Sequence, residues 1–369
     1  MKVALVGTRG APGRYGGFET AVEEVGRRLV VRGHDVIVYC RNPRQTMTSY
    51  AGMRLVNLPA LRHKHFETLS HTALSAAHLV AHRVDVAVVF NAANAPFVPI
   101  IKAARIPVAL HVDGLEWQRA KWGTVGKRYY KTNERIGVRV ADALIADAVG
   151  IQDYYRERYR AASVFIPYGA PILRDLSADR LAEKELGPRG YHLVVARLEP
   201  ENNVHVVIDG YATGAAQLPL VVVGGVRYPG DYVRGLQSTA ASDARIRMVG
   251  SVYDDELLDQ LYAHSASYLH GHSVGGTNPS LLRAMGAAAP VLAFDVNFNR
   301  EVLGDTGRYW SDREAVRSAI TDVEADLDAA RARGVAGQQR AAERYRWDDV
   351  AERYERLCLD LVQRRMKRG

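Results

Sequence analysis

Short β-branched runs alternate with amphipathic stretches along most of the chain, an order that predicts parallel sheets joined by crossover helices. In the first half, strands are expected over Lys2 to Val6, Asp35 to Cys40, Arg54 to Leu58, Asp85 to Phe90, Pro107 to Val112, Ala143 to Ala146 and Ser163 to Ile166. Between them, Glu19 to Val31 and Glu67 to Arg83 space their apolar residues as one buried helical face, and Gly33 offers the first of them a C-terminal stop. The alternation breaks over Pro167 to Ser177 and resumes at His192 to Leu198. Leu220 to Val223, Ile246 to Val249, Ala266 to Leu269 and Val291 to Phe294 then read as further strands, each followed by a helical pattern. Arg313 to Arg344 reads as charged and helical, and Trp347 to Arg365 as a last amphipathic helix with Val350, Tyr354, Leu357 and Leu361 on its apolar side. The expected fold class is α/β, with Rossmann-like doubly wound domains at 1–170 and 171–345 and a terminal helix at 346–369.

Length agrees with two domains, because 369 residues exceed what one hydrophobic core serves. Composition, at 47% apolar and 24% charged, excludes a disordered or fibrous chain. Cys40 and Cys358 stand far apart, without the spacing of a disulfide framework or a zinc site, which fits a reducing cytoplasm. Residues 1–7 run straight into a glycine-rich loop and read as a strand rather than a leader. The most apolar stretch, Val84 to Ile101, is interrupted by Asp85, Asn91, Asn94, Pro96 and Pro99, so no membrane span is expected. A net charge of +8 points to an anionic partner: nucleotide, nucleic acid or acidic lipid surface.

Two glycine-rich turns follow predicted strands. The first runs from Gly7-Thr-Arg-Gly10 through Gly13 to Gly16-Gly17-Phe-Glu-Thr20, where glycine lets backbone approach an anion at a helix start. Its spacing is not G-x-G-x-x-G, and Tyr39, Cys40 and Arg41 stand where a dinucleotide site needs an acid, so NAD is disfavoured. A loop tightened by glycine for packing alone is the bland alternative. The second turn, His270-Gly-His-Ser-Val-Gly-Gly-Thr-Asn-Pro-Ser280, has Thr277 or Asn278 as N-cap and Pro279 at the first helical position. Amides from Gly275 and Gly276 to Ser280 would face a phosphate, with His270, His272 and Ser273 in reach of a sugar or diphosphate. A capped helix with buried histidines is the alternative here.

Three further segments carry candidate chemistry. Arg197, in Arg197-Leu-Glu-Pro-Glu-Asn-Asn203, is a bidentate cation for a diphosphate or one half of an ion pair with a neighbouring glutamate. His111, Asp113 and Glu116 fall at the carboxyl end of a strand, to orient or deprotonate an acceptor hydroxyl or to cap the loop. The run from Arg119 to Arg139 interleaves Arg and Lys with Trp122, Tyr129 and Tyr130, just after Trp117. It suits an anionic membrane surface or a lipid-linked pyrophosphate, or is a solvated helix face, and Arg62-His-Lys-His65 extends the same charge. No nucleic-acid reading module is present in the sequence.

With these residues together, nearly the whole chain resembles the retaining glycosyltransferases of family 4, in the branch of bacterial β-1,4-rhamnosyltransferases of cell-wall and capsule assembly. The resemblance is carried by Gly7 to Gly10 with Tyr15-Gly-Gly-Phe-Glu-Thr20, Asp113-Gly-Leu-Glu-Trp117, Arg197 to Asn203, His270 to Ser280 and Phe298-Asn-Arg-Glu-Val302. It implies a GT-B fold, with the amino-terminal domain holding the acceptor and the carboxy-terminal domain the nucleoside diphosphate sugar. A final helix would return to the first domain. It places Gly16, Gly17, Asn202, Asn203, His270, His272, Gly275, Gly276, Thr277, Asn278, Ser280 and Arg283 around the donor, and His111, Asp113, Glu116 and Arg197 at the chemistry. The sequence also departs from the wider family. Asn202 stands where a lysine assists the arginine, and Gly275 and Arg283 stand at the positions of two glutamates near the donor sugar and ribose.

The resemblance implies transfer with retention by front-face displacement, without a protein nucleophile or a cofactor. The donor expected is a nucleoside diphosphate sugar, dTDP-L-rhamnose first, and the acceptor a lipid-pyrophosphate-linked glycan at the inner face of the plasma membrane. Metal dependence is not expected, since Asp254-Asp255 lacks the spacing of an Asp-x-Asp pair. The alternatives are a UDP- or GDP-sugar donor, an epimerase or phosphorylase of the same architecture, and a non-catalytic nucleotide or lipid binder.

Overall fold

The computed structural model describes all residues except 14–15, 42–45, 62, 64–65, 113, 120–121, 227–229 and 369, and describes 365–368 without their side chains. The chain divides into two compact units. The first takes Met1–Gln118, Trp122–Tyr168 and Trp347–Gly369, and the second Arg119–Lys121 and Gly169–Arg346.

The first unit is built on strands β1 (Lys2–Val6), β2 (Asp35–Cys40), β3 (Ser49–Tyr50), β4 (Met53–Asn57), β5 (Val86–Phe90), β6 (Val108–His111), β7 (Ala143–Ala146) and β8 (Val164–Phe165). They lie in the order β3-β4-β2-β1-β5-β6-β7-β8, parallel except for β3 against β4. Val3, Ala4, Leu5 and Val6 have no exposed surface, and neither do Val86, Val89 and Phe90. Such unbroken apolar runs are what a strand covered on both faces requires. The helices are α1 (Gly17–Val31), α2 (Glu67–Ala81), α3 (Val98–Ala103), α4 (Thr124–Val140) and α5 (Val149–Tyr159).

The second unit repeats the scheme with β9 (His192–Val195), β10 (Leu220–Val223), β11 (Ile246–Gly250), β12 (Ser267–His270), β13 (Val291–Phe294) and β14 (Arg308–Trp310), in the order β11-β10-β9-β12-β13-β14, all parallel. Its helices are α6 (Val204–Ala212), α7 (Asp231–Ala241), α8 (Asp255–Ala263), α9 (Pro279–Gly286), α10 (Asn297–Leu303), α11 (Arg313–Ala325) and α12 (Leu327–Arg344). The charged stretch from Arg313 to Arg344 is thus two helices. Asp326 breaks it, its side chain accepting from Ala329 N at 2.8 Å as the cap of α12. Strand β9 stops at Val195, three residues short of the expected Leu198, because the chain turns there into the loop that carries Arg197.

The last helix, α13 (Trp347–Arg368), belongs to the first unit. Val350, Tyr354, Leu357 and Leu361 are buried, and its polar side meets α1 through Arg28–Asp348 at 2.8 Å and Arg32–Glu355 at 2.7 Å.

Candidate active site

In an open parallel sheet, ligands settle at the carboxyl ends of the two strands where the strand order reverses. In the second unit these strands are β9 and β12, paired Ser267 to His192 and Tyr268 to Leu193. The loop after β9 holds Arg197, Glu199, Glu201, Asn202 and Asn203, and the loop after β12 runs from His270 into α9.

The two loops are laced together. Asn203 Nδ2 donates to Gly271 O at 2.8 Å, and both Ser273 N and Ser273 Oγ donate to Glu201 O at 2.9 Å. Asn202 Nδ2 donates to Arg197 O at 2.8 Å, which leaves its Oδ1 facing His272 Nδ1, also at 2.8 Å. Because Oδ1 can only accept, this network assigns the proton of His272 to Nδ1 and the lone pair to Nε2. Asn299 Nδ2 holds the far side of the same loop, donating to His272 O at 3.0 Å and Phe294 O at 2.9 Å. Asn202 therefore serves as a scaffold amide where the resemblance expects a lysine.

Gly275 is explained by the same histidine. A Cβ on Gly275 would lie 2.8 Å from His272 Nε2, and its φ of +152° suits glycine. A glutamate at this position has no room beside that ring. Asn278 caps α9, its side chain accepting from Ser280 N at 2.9 Å with Pro279 at the first turn, which decides between the two expected caps. Thr277 is buried. Arg283 is held on α8: Nε donates to Asp259 at 2.6 Å, Nη1 to Asp255 Oδ1 and Nη2 to Asp255 O, both at 3.0 Å. Its acids are thus Asp259 and Asp255 of α8. Arg197 stays partly open, with Nη1 3.4 Å from Glu199 Oε2 and its side chain 37% exposed.

Burial sets the charge state of this site. His270 is pushed down to about 3 by desolvation alone, and His272 well below its usual value by desolvation, then by the charges of Arg119, His270 and Arg197. Both imidazoles are neutral at pH 7, so they can act here only as hydrogen-bonding groups and leave the positive charge to arginine.

In the first unit the strand order reverses between β1 and β5. Here the glycine-rich loop serves its own carboxylates. Arg9 N donates to Glu19 Oε1 at 2.9 Å, Gly13 N to Glu23 Oε2 at 2.6 Å and Gly10 N to Thr8 Oγ1 at 3.1 Å. Arg41, where a dinucleotide site has its acid, turns inward and donates to Thr8 O at 3.0 Å and Gly7 O at 3.2 Å. The loop is therefore no open phosphate cradle: an anion at Arg9 to Gly13 would have to displace Glu19 and Glu23. Gly16 precedes α1 and Gly17 opens it. The motif residue Tyr15 lies outside the described residues.

His111 ends β6, 1% exposed, stacked on Phe90 at 5.5 Å and met edge-on by Phe18 at 5.2 Å. Burial pulls its pKa down to about 3, so it too acts as a neutral polar group. Glu116 is buried on a short 3-10 turn, with Trp122 Nε1 donating to it at 3.5 Å. Asp113 lies outside the described residues. The residue reading passed over Arg41, Asn299 and the loop carboxylates Glu19 and Glu23. Of these only Arg41 stood out in the sequence, as the wrong residue for NAD.

These histidines give a test. The buried ring of His71 is pulled down to about 4, by burial first and then by Arg41, and His111 and His270 to about 3. Between pH 6.5 and these values only the unfolded chain takes up the proton, so the stabilisation is complete above pH 6.5 and lost as pH falls. Urea unfolding at pH 5 should show each histidine costing about 2 kcal/mol relative to pH 7, and His111→Asn should remove about that much of the drop. A pH-independent midpoint in the parent protein would count against the buried neutral rings.

Comparison with known proteins bears on family and fold. Residues 189–326 match the family described as glycosyl transferases group 1, and residues 1–171 match a domain of unknown function, DUF1972. Over its whole length the chain superposes on solved structures. Sucrose-phosphate synthase from Thermosynechococcus elongatus matches with TM-score 0.83 at 20% identity, over 98% of this chain and 99% of that one. The HepE protein of Anabaena in complex with UDP matches with TM-score 0.78 at 18% identity, over 98% and 100%. The fold is GT-B. A curated relative, O-antigen chain mannosyltransferase B of Escherichia coli, is 27% identical over 131 residues, an alignment spanning only 34% of either chain. The group 1 domain and the GT-B fold together support a glycosyltransferase.

Proposed function

We propose that this protein transfers a sugar from a nucleoside diphosphate donor held by the second unit to a glycan acceptor, with retention of configuration. The observation that carries the reading is the laced pair of loops at the ends of β9 and β12, which sets Arg197, His270, His272 and the capped start of α9 around one switch point. In this reading Arg197 neutralises the leaving diphosphate, and amides at the start of α9 add hydrogen bonds. The neutral histidines orient the sugar. Gly16 and Gly17 are assigned to the donor, and His111, Glu116 and Asp113 to positioning the incoming hydroxyl.

The donor we propose is dTDP-L-rhamnose and the acceptor a lipid-pyrophosphate-linked glycan at the inner face of the plasma membrane. A carboxylate that bridges two ribose hydroxyls has no use with a 2′-deoxyribose, and Arg283 stands where the resemblance expects that acid. The relative named for O-antigen synthesis fits a polysaccharide product. A UDP-sugar is the second reading, favoured by the HepE complexes with UDP and UDP-glucose. Thermal shift with dTDP-, UDP- and GDP-sugars discriminates them. The expected result is stabilisation by dTDP-rhamnose of about 3 kcal/mol at a hundredfold excess over Kd. Stabilisation by UDP or GDP without dTDP would sink the rhamnose donor, and no stabilisation by any of them would sink the transferase.

A further inference from the structure

Net charge is divided unevenly between the units. Residues 1–118, 122–168 and 347–369 hold 28 lysines and arginines against 18 acids, whereas residues 119–121 with 169–346 hold 21 against 23. The whole positive excess therefore sits in the first unit and its terminal helix.

Part of it forms a stripe. On α4, Lys127, Arg128, Lys131, Arg135 and Arg139 are exposed. The one acid of that helix, Glu134, is buried and accepts from Tyr154 OH at 2.9 Å and Tyr159 OH at 2.8 Å. The aromatic residues of the segment are more covered than the cations, Tyr130 buried and Trp117, Trp122 and Tyr129 half-buried, with Lys131 Nζ 4.1 Å from the Trp117 ring. Trp122 and Tyr130 meet at a tilt with ring centroids 5.1 Å apart, Tyr129 OH donates to Ala93 O at 3.0 Å, and the Trp117 ring lies 6.5 Å from that of Tyr154. The exposed surface of the segment is therefore mainly cationic, with its rings only partly open.

The apolar surface comes from neighbouring helices. Helix α3 packs against both α2 and α4, and this layer exposes Leu74 and Val80 on α2, Ile100 on α3 and Val125 at the start of α4, the last 84% exposed. Large aliphatic side chains beside a cationic stripe, with no acid on α3 and only Glu67 on α2, match a surface of anionic headgroups over hydrocarbon. We propose that the layer of α2, α3 and α4 is a docking face for an anionic lipid bilayer. Lys127, Arg128 and Arg135 meet the headgroups, and Ile100, Leu74 and Val125 enter the interface. The proposal rests on the lipid-linked acceptor above for its purpose and on the surface alone for its evidence.

Co-sedimentation of the full chain with phosphatidylcholine vesicles, with and without phosphatidylglycerol, tests it. Binding is expected only with phosphatidylglycerol, and to fall with salt. Lys127→Glu, Arg128→Glu and Arg135→Glu together should weaken it by on the order of 100-fold. Ile100→Ser with Leu74→Ser should weaken it at unchanged charge. Both variants should keep the parent melting temperature and its nucleotide-sugar thermal shift, which separates this result from failure of the transfer reading. Equal binding to neutral vesicles, no binding to anionic ones, or charge-reversed protein that binds like the parent would overturn it. So would light scattering that shows a dimer lost in Ile100→Ser, since the face would then belong to a second copy.

Discussion

Arg197→Ala is expected to lower the rate of sugar transfer by on the order of 100- to 1,000-fold while leaving the melting temperature in place. In the proposed front-face displacement there is no covalent step for the protein, so its contribution would lie in positioning and in meeting the charge that grows on the departing diphosphate. The loops after β9 and β12, with α9, contain two arginines and no lysine between 196 and 286 apart from the segments around α7 and β11. Arg283 is occupied by Asp259 and Asp255, Asn202 carries no charge, and burial keeps His270 and His272 neutral. Among the residues of these loops and α9, Arg197 is left to do this, and its contact with Glu199 at 3.4 Å is loose enough for a diphosphate to replace. The loss should appear mainly in kcat, because the interaction strengthens as charge develops. Arg197→Lys should recover only part of the rate, since an ammonium cannot make the bidentate contact. Full activity in a folded Arg197→Ala protein would remove this residue from the chemistry.

The architecture was legible because buried parallel strands announce themselves as unbroken apolar runs, and Val3 to Val6 or Val86 to Phe90 admit few other readings. Short edge elements were not: Ser49–Tyr50 and Arg308–Trp310 are two and three residues long and carry no periodicity. In the site, residue types were readable and their partners were not. Two glycine-rich turns looked alike in sequence, yet the first is filled by Glu19 and Glu23 from its own helix, which lie 10 residues from the amides they accept. Arg283 looked free to meet a phosphate until Asp259 and Asp255, 24 and 28 residues earlier, came beside it. Asn202 appeared as a lost lysine, and only its pairing with His272, 70 residues away, shows what it does instead. Charge partners across a crossover connection are set by sheet order, which local spacing does not encode.

The close approach of the two donor-side loops makes Gly271→Ala a damaging small change for the donor side of the second unit. A Cβ there would lie 2.1 Å from Asn202 O and 3.0 Å from its carbonyl carbon, and both are backbone, so no side chain can swing aside. The loop from Pro200 to Asn203 would have to move. With it would go the bond of Asn203 to Gly271 O, the two bonds of Ser273 to Glu201 O and the Asn202–His272 contact. Such overpacking should cost about 3 kcal/mol and lower the melting temperature by roughly 6 to 12 °C. Because the displaced loop carries Arg197, nucleotide-sugar affinity should fall more than tenfold in the protein that remains folded. Gly235→Ala is the matched control: that glycine lies inside α7 with nothing within 4 Å of its added Cβ. It should be stabilised by up to about 1 kcal/mol through helix propensity, with donor binding unchanged. A Gly271→Ala protein as stable as its parent, measured beside that control, would mean that the loops are not laced as described.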